Sequence, residues 1–212
     1  LGARFKLLAA QTLLHYPALW WASVHGRVPL HVSVTAGAGG VTMIAGPGGV
    51  GKSTMLAAGL KRGERATADN LCACDARRAH GVVEPLRIDG GRGRVAATHG
   101  RGEYALPDRV PSLEPDRLVV LRRAAGPRAS AVPLSSATAA RELVAGTYMA
   151  GELRRFWSFA GTLALGTGIG PAHPDVHGIA IALAERLPCF EVRMAHGSPA
   201  SIGDLLSLAG AR

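Results

Sequence analysis

Apolar residues recur at helical spacing across residues 5–14, and Pro17 closes that pattern. Trp20 and Trp21 follow in an apolar stretch and are expected in the core or at a subunit contact. Residues 30–34 and 41–45 favour strand, and the glycine-rich residues 35–40 between them read as the turn of a hairpin. A helix runs from Ser53 to about Lys61, where Arg62 and Gly63 supply a stop, and residues 66–74, with Asp69 inside them, read as a strand. Residues 117–122 and 129–134 make short strands, and residues 137–157 are largely helical, weakened by Gly146 and Gly151. A glycine-rich loop over residues 162–174, a helix over 176–187 stopped by Pro188, and a final strand over 189–194 complete the chain.

At 212 residues the chain suits one domain with a sizeable core. Apolar residues make up 48% and charged residues 18%, which excludes a disordered composition. The net charge of +9 suits a polyanionic partner, whether nucleotide phosphates, an acidic peptide or nucleic acid. The basic residues are scattered, with neither an aromatic and basic RNA-binding signature nor zinc-ligand spacing, so nucleic acid is the least favoured of the three. Cys72, Cys74 and Cys189 cannot all pair, and reduced thiols in the cytoplasm are expected. No uncharged apolar run is long enough to span a bilayer, and no membrane partner is expected.

Gly46-Pro47-Gly48-Gly49-Val50-Gly51-Lys52-Ser53 fits the phosphate-binding loop pattern G-x-x-x-x-G-K-[ST], and Thr54 follows it. A strand enters this loop and a helix leaves it. Glycines let backbone N–H groups turn inward around phosphate oxygens, Lys52 places a charge on the β/γ-phosphates, and the Ser53 hydroxyl can ligate Mg²⁺. ATP and Mg²⁺ are the expected cofactors. In a standard loop of this kind a second apolar strand ends in a Mg²⁺-holding aspartate. Here the best apolar strand, Leu118-Val119-Val120-Leu121, ends in Arg122-Arg123.

An aspartate follows soon after the first helix instead, in Arg62-Gly63-Glu64-Arg65-Ala66-Thr67-Ala68-Asp69-Asn70, with Leu30-His31-Val32-Ser33-Val34 upstream of the loop. This order resembles the HPr kinase/phosphorylase family, whose P-loop helix is followed by an R-G-x-x-x-x-x-D-D segment. Val83-Glu84-Pro85-Leu86-Arg87-Ile88 is similar to the segment after those aspartates. The resemblance is specific over residues 30–88. It implies the α/β fold shared with phosphoenolpyruvate carboxykinases, a single domain with a P-loop serving a mixed, curved β-sheet flanked by helices. Residues 1–29 then form an N-terminal helical, apolar segment and residues 30–212 an ATP-binding catalytic domain. Asn70 departs from the family by replacing its second aspartate. The family's later magnesium-binding glutamate and phosphate-sensing arginine have no unique match, leaving Glu84, Asp89 and Glu103 open for metal and Arg92, Arg94, Arg101 and Arg109 for phosphate.

The resemblance implies that Asp69 accepts the proton of a hydroxyl acceptor, that His31 orients Asp69 or contacts phosphate, and that Lys52 completes the catalytic set. A salt-bridged Asp69 and a hydrogen-bonded core His31 are the structural alternatives. The basic run over residues 87–102 is expected to be mobile and to order around a ligand. Two functions compete ahead of a third, a nucleic-acid-binding NTPase. One is an ATP-dependent kinase acting on a serine-type hydroxyl of a peptide, protein or small molecule, with a biosynthetic precursor peptide, as for relatives that modify lasso peptide precursors, among the acceptors. The other is a nucleotide-binding regulatory or scaffold protein whose catalysis weakened with the second aspartate. Homo-oligomerisation is left open.

Overall fold

The computed structural model describes residues 2–89, 95–96, 101–107, 109–126, 128–195 and 206. Its chain opens with α1 (Ala3–Ala10), widens into a π-helical turn over Gln11–His15 and continues as α2 (Tyr16–Val24). Pro17 therefore does not end the helix. It sits in the first turn of α2, just after the π turn shifts the hydrogen-bond register, where its missing N–H and fixed φ are tolerated.

β1 (Val28–Leu30) leads to the expected hairpin of β2 (Ser33–Gly37) and β3 (Gly40–Ala45), and α3 (Lys52–Lys61) follows. Residues 66–74 are not one strand. β4 (Arg65–Ala66) and β5 (Cys72–Cys74) lie in different sheets with a turn between them. Side chains take the turn's backbone out of any ladder: Arg109 Nε donates to Thr67 O at 2.8 Å, and Glu84 accepts the amides of Asn70 and Leu71. β6 (Ala79–Gly81) comes next, then β7 (Leu86–Asp89), β8 (Val95–Ala96) and β9 (Arg101–Tyr104), which form a three-stranded antiparallel sheet. The described parts of the basic run are thus strands, while residues 90–94 and 97–100 lie outside the described residues.

β10 (Ser112–Leu113), β11 (Arg117–Arg123) and β12 (Ser130–Pro133) precede α4 (Ser136–Tyr148), a 3₁₀ turn (Gly151–Leu153), α5 (Phe156–Thr167), α6 (Val176–Arg186) and β13 (Cys189–Met194). The helix expected over residues 137–157 breaks after Tyr148, and α5 occupies the first part of the expected loop over 162–174. Burial of Phe156 and Ala160 against Tyr16 and Leu19 outweighs the low helix propensity of Gly161 and Gly166. Gly168, at φ 68°, closes α5 in the left-handed conformation.

A mixed six-stranded sheet, ordered β12-β13-β11-β3-β2-β4, carries the fold. Its middle strands β13, β11 and β3 run parallel, and Leu118, Val119, Val120 and Leu121 of β11 are fully buried, as a strand covered on both faces requires. Leu118 and Val120 face a core with α4 and α6; Val119 and Leu121 face another with Ile44, Val50, Phe190 and Val192. The four-stranded antiparallel sheet β1-β5-β6-β10 lies beside α2. All three cysteines are free and buried. No helix among the described residues is long and apolar enough to cross a membrane.

Gly81 fixes the turn that carries Asp69. A Cβ there would overlap the Thr67 carbonyl, and Arg109 holds both Thr67 O and Gly81 O. Gly81→Ala must separate these backbones, so it should destabilise the protein by about 1–3 kcal/mol in denaturant unfolding. An unchanged midpoint would show that the turn does not need this close approach.

Candidate functional site

β3 ends at Ala45, and the chain turns through residues 46–51 into α3. At Gly46 φ is 146°, and a Cβ would lie 2.9 Å from Leu121 O and 3.1 Å from Val50 Cγ1. Gly51, at φ 118°, is the residue before α3, so the first-turn amides of Lys52, Ser53 and Thr54 are left without helical acceptors. Unpaired amides and the positive end of the helix dipole make this turn receptive to an anion. Lys52 is buried and folds back, its Nζ donating to Gly46 O at 2.8 Å and Pro47 O at 3.3 Å. Burial lowers its pKa to about 8 against the pull of Asp69, Glu152 and Glu84.

Asp69 comes from the turn between β4 and β5 and is completely buried. Its Oδ2 accepts from the Arg87 amide and from Asn70 Nδ2, both at 3.1 Å, while Oδ1 makes no well-formed hydrogen bond, the Ser53 hydroxyl acting on the carboxyl only weakly. Burial raises its pKa; the neighbouring Ser53 hydroxyl, the Arg87 amide and charge, and Lys52 oppose the rise. A buried carboxylate oxygen left unpaired beside Lys52 and Ser53 is costly unless a ligand or proton meets it. The Ser53 hydroxyl is a hard donor of the kind Mg²⁺ takes, with phosphates and water filling the other positions, so it fits the ion and leaves the Asp69 oxygen free to meet a proton.

His31, between β1 and β2, is buried and joins the group. Its amide donates to Thr147 Oγ1 at 3.1 Å, and its Nδ1 has no partner. Burial, then the Lys52 charge, lowers its pKa to about 4, so the ring is neutral at pH 7.

The structure separates the remaining candidates. Glu84 is buried, its Oε1 accepting the Asn70 amide at 2.7 Å and the Leu71 amide at 2.9 Å. Arg87 Nη1 lies 3.7 Å from its Oε2, and Arg87 Nε lies 3.3 Å from Glu103 Oε1. Arg109 is spent on backbone carbonyls. Asp89 and Arg101 pair as backbone neighbours in β7 and β9, and Arg92 and Arg94 lie outside the described residues. Among the described residues no group of three His, Cys, Asp or Glu is arranged to hold a metal by itself.

Sequence reasoning missed three residues. Arg123 Nη2 donates to Gly49 O at 2.6 Å, bringing a guanidinium to the loop from the end of β11, where a standard loop of this kind would have the aspartate. Thr147 and Glu152 arrive with α4 and the turn after it; Glu152 acts on the charge of both Lys52 and His31. No local signal marks either one.

No protein-family model matches the chain, and no curated protein matches it. A solved structure does. It is the Hpr(Ser) kinase/phosphatase from Coxiella burnetii, with 17% sequence identity and a TM-score of 0.35 over 45% of this chain. The chain covers 65% of that structure's length. An overlap so partial is a distant likeness, and the chemistry rests on the residues described above.

Burial, then Asp69, raises the Glu84 carboxyl from 4.5 to about 7, against the Asn70 and Leu71 amides and Arg87. The folded state then holds a proton that the unfolded chain has released, so the Glu84 contribution to stability falls as pH rises from about 4.5 to about 7. His31, lowered from 6.5 to about 4, contributes with the opposite sign over its own window. The difference between parent and variant therefore isolates Glu84. Glu84→Gln keeps an oxygen for the two amides and should match the parent near pH 4.5 but exceed its stability by roughly 1–3 kcal/mol at pH 8. A pH-independent difference in denaturant unfolding would refute the buried proton.

Proposed function

We propose that the chain is an ATP-dependent kinase that transfers the γ-phosphate to a serine-type hydroxyl of a peptide, protein or small molecule, a biosynthetic precursor peptide being one such acceptor. The observation that carries this reading is the unpaired Asp69 Oδ1, buried beside Lys52 and Ser53 at the start of α3. The sequence resemblance over residues 30–88 supports the same reading.

Loop amides and the first turn of α3 would hold the β- and γ-phosphates, with Lys52 exchanging the Gly46 and Pro47 carbonyls for phosphate oxygens. Arg123, already on Gly49, adds charge at the same loop. Ser53 would hold Mg²⁺, which supplies charge neutralisation at the phosphates. Asp69 Oδ1 would take the proton of the acceptor hydroxyl as its oxygen bonds to the γ-phosphorus and the bond to ADP breaks; burial raises the basicity of the carboxylate for that task. Neutral His31 would position Asp69 or a phosphate oxygen by hydrogen bonding through its unpaired Nδ1.

The scaffold reading rests on Asn70, whose amide occupies Asp69 Oδ2 where a second carboxylate would have repelled it. Variants separate the two readings. Lys52→Ala should weaken ATP binding by about tenfold or more, the loss of a charge-assisted contact of roughly 1.5–3 kcal/mol, and abolish turnover. Calorimetry and phosphate transfer that match the parent in a folded variant would remove the phosphate-loop assignment.

Asp69→Asn should keep ATP affinity within a few fold while slowing transfer by ~10²-fold or more, because the proton acceptor is lost and the phosphate cradle is not. Asn70→Asp should raise activity or sharpen its Mg²⁺ dependence. Transfer from γ-labelled ATP at the parent rate by Asp69→Asn would leave the scaffold reading in possession.

A further inference from the structure

A groove of about 620 Å³ lies between the π turn with α2 and the strands β5 and β6. Its size falls within the ~300–1,000 Å³ of small-molecule sites. Leu14, Leu19, Trp21 and Ala22 form the helical wall, facing Val82 and Val83. Leu14, Trp21 and Val83 are 65%, 58% and 71% exposed, so three large apolar side chains stand in water around one concavity. A folded chain bears such a patch chiefly where something covers it.

The groove is held open by specific contacts. His15, on the π turn, is buried and its Nε2–H donates to Val83 O at 3.1 Å, tying the two walls together. His25 Nδ1–H donates to Trp21 O at 2.8 Å, and its ring meets Trp21 edge-on with centroids 4.7 Å apart. Polar groups gather among the lining residues as Arg27 and His80. Both approach Asp75 Oδ2, at 3.9 Å and 3.8 Å, distances too long for hydrogen bonds, and His80 Nε2 has no hydrogen-bond partner. Asp75 Oδ1 is already committed to the amides of Arg77 and Arg78. One carboxylate, held by its own turn, thus serves two under-coordinated donors. Arg27 and Arg78 both act on His80 against the single charge of Asp75, which favours an anion at this position over a cation.

We propose that this groove, separate from the glycine-rich loop, binds an amphipathic anion, its apolar body lodged between Leu14, Trp21 and Val83 and its single anionic group on Arg27 and His80. The site needs neither ATP nor the reading of Asp69 as a base.

The probe is 1-anilinonaphthalene-8-sulfonate, an aromatic body with one sulfonate, set against neutral N-phenyl-1-naphthylamine. The sulfonate should bind the folded chain at one saturable site and quench Trp21. Ala22→Trp, which fills the groove, should weaken both probes at least about tenfold, the scale of losing most apolar contact. Arg27→Gln should weaken the sulfonate several fold and leave the neutral probe unchanged. Ala18→Phe is read in the same way as Ala22→Trp, and should neither variant fold, the Arg27→Gln contrast decides alone. Failure of the sulfonate to bind saturably overturns the site, including the case in which sedimentation shows a second copy of the chain covering this face. Equal binding in a filled groove, or equal weakening of both probes by Arg27→Gln, overturns it as well.

Discussion

Parallel pairing of β3 with β11 is the constraint on which the rest of the site depends. The register sets Met43 against Leu118, Ile44 against Val119 and Ala45 against Val120, so the next residue of β3 arrives beside Leu121. Its Cα sits so near the Leu121 carbonyl that only glycine fits, and Gly46 turns the chain out of the sheet with a φ no other residue adopts readily. From that turn follow the unpaired amides, the start of α3 at Lys52 and the burial of the lysine head group. Two residues beyond Leu121, Arg123 reaches back to the carbonyl of Gly49. The strand that fixes the loop's beginning also braces its far side.

Burial governs the electrostatics behind the loop. Desolvation moves Lys52 down, His31 down, and Asp69 and Glu84 up, so each group is pushed toward its neutral form. The cluster therefore carries less charge than its residue types suggest. A polyanion entering the turn would support the charge on Lys52 and oppose that on Asp69 and Glu84. Ionised carboxylates beside phosphates would call for a compensating cation, which the hard hydroxyl oxygen of Ser53 suits. The same physics makes the Asp69 oxygen the most exacting feature of the turn, for a buried acceptor without a well-formed hydrogen bond is costly.

Features set by local chemistry were legible in the sequence: the hairpin, the glycine turn, α3, α6 and β13 follow from periodicity, glycine placement and stop signals. Those decided by distant contacts were not. Pro17 read as a terminus because a π turn has no sequence signature, and residues 66–74 read as a strand because nothing local announces that Arg109 and Glu84 will claim the turn's backbone. Lys52 is named by the loop motif and Asp69 by the family resemblance. Glu84 could be named but not ranked above Asp89 or Glu103, since its distinction is the two amides it accepts, which exist only after β5 and β7 are in place. Thr147 and Glu152 lie more than a hundred residues beyond His31 and are brought to it by α4 and the turn that follows it.

The groove and the buried cluster share a single run of backbone. His15 holds the carbonyl of Val83, and the next residue, Glu84, holds the amides of Asn70 and Leu71 beside Asp69. Displacing the groove wall at Val83 therefore acts on Glu84 across one peptide unit, whose planarity leaves only ψ of Val83 and φ of Glu84 to absorb the motion. The two amide hydrogen bonds to Glu84 are short, and that from Leu71 is buried, so they resist being stretched more than the exposed Val83 side chain resists being moved. Occupancy of the groove is accordingly expected to be accommodated by side chains, leaving the cluster fixed, unless a ligand breaks the bond between His15 and the Val83 carbonyl. That bond is the physical link between the two sites, and its strength decides whether they act independently.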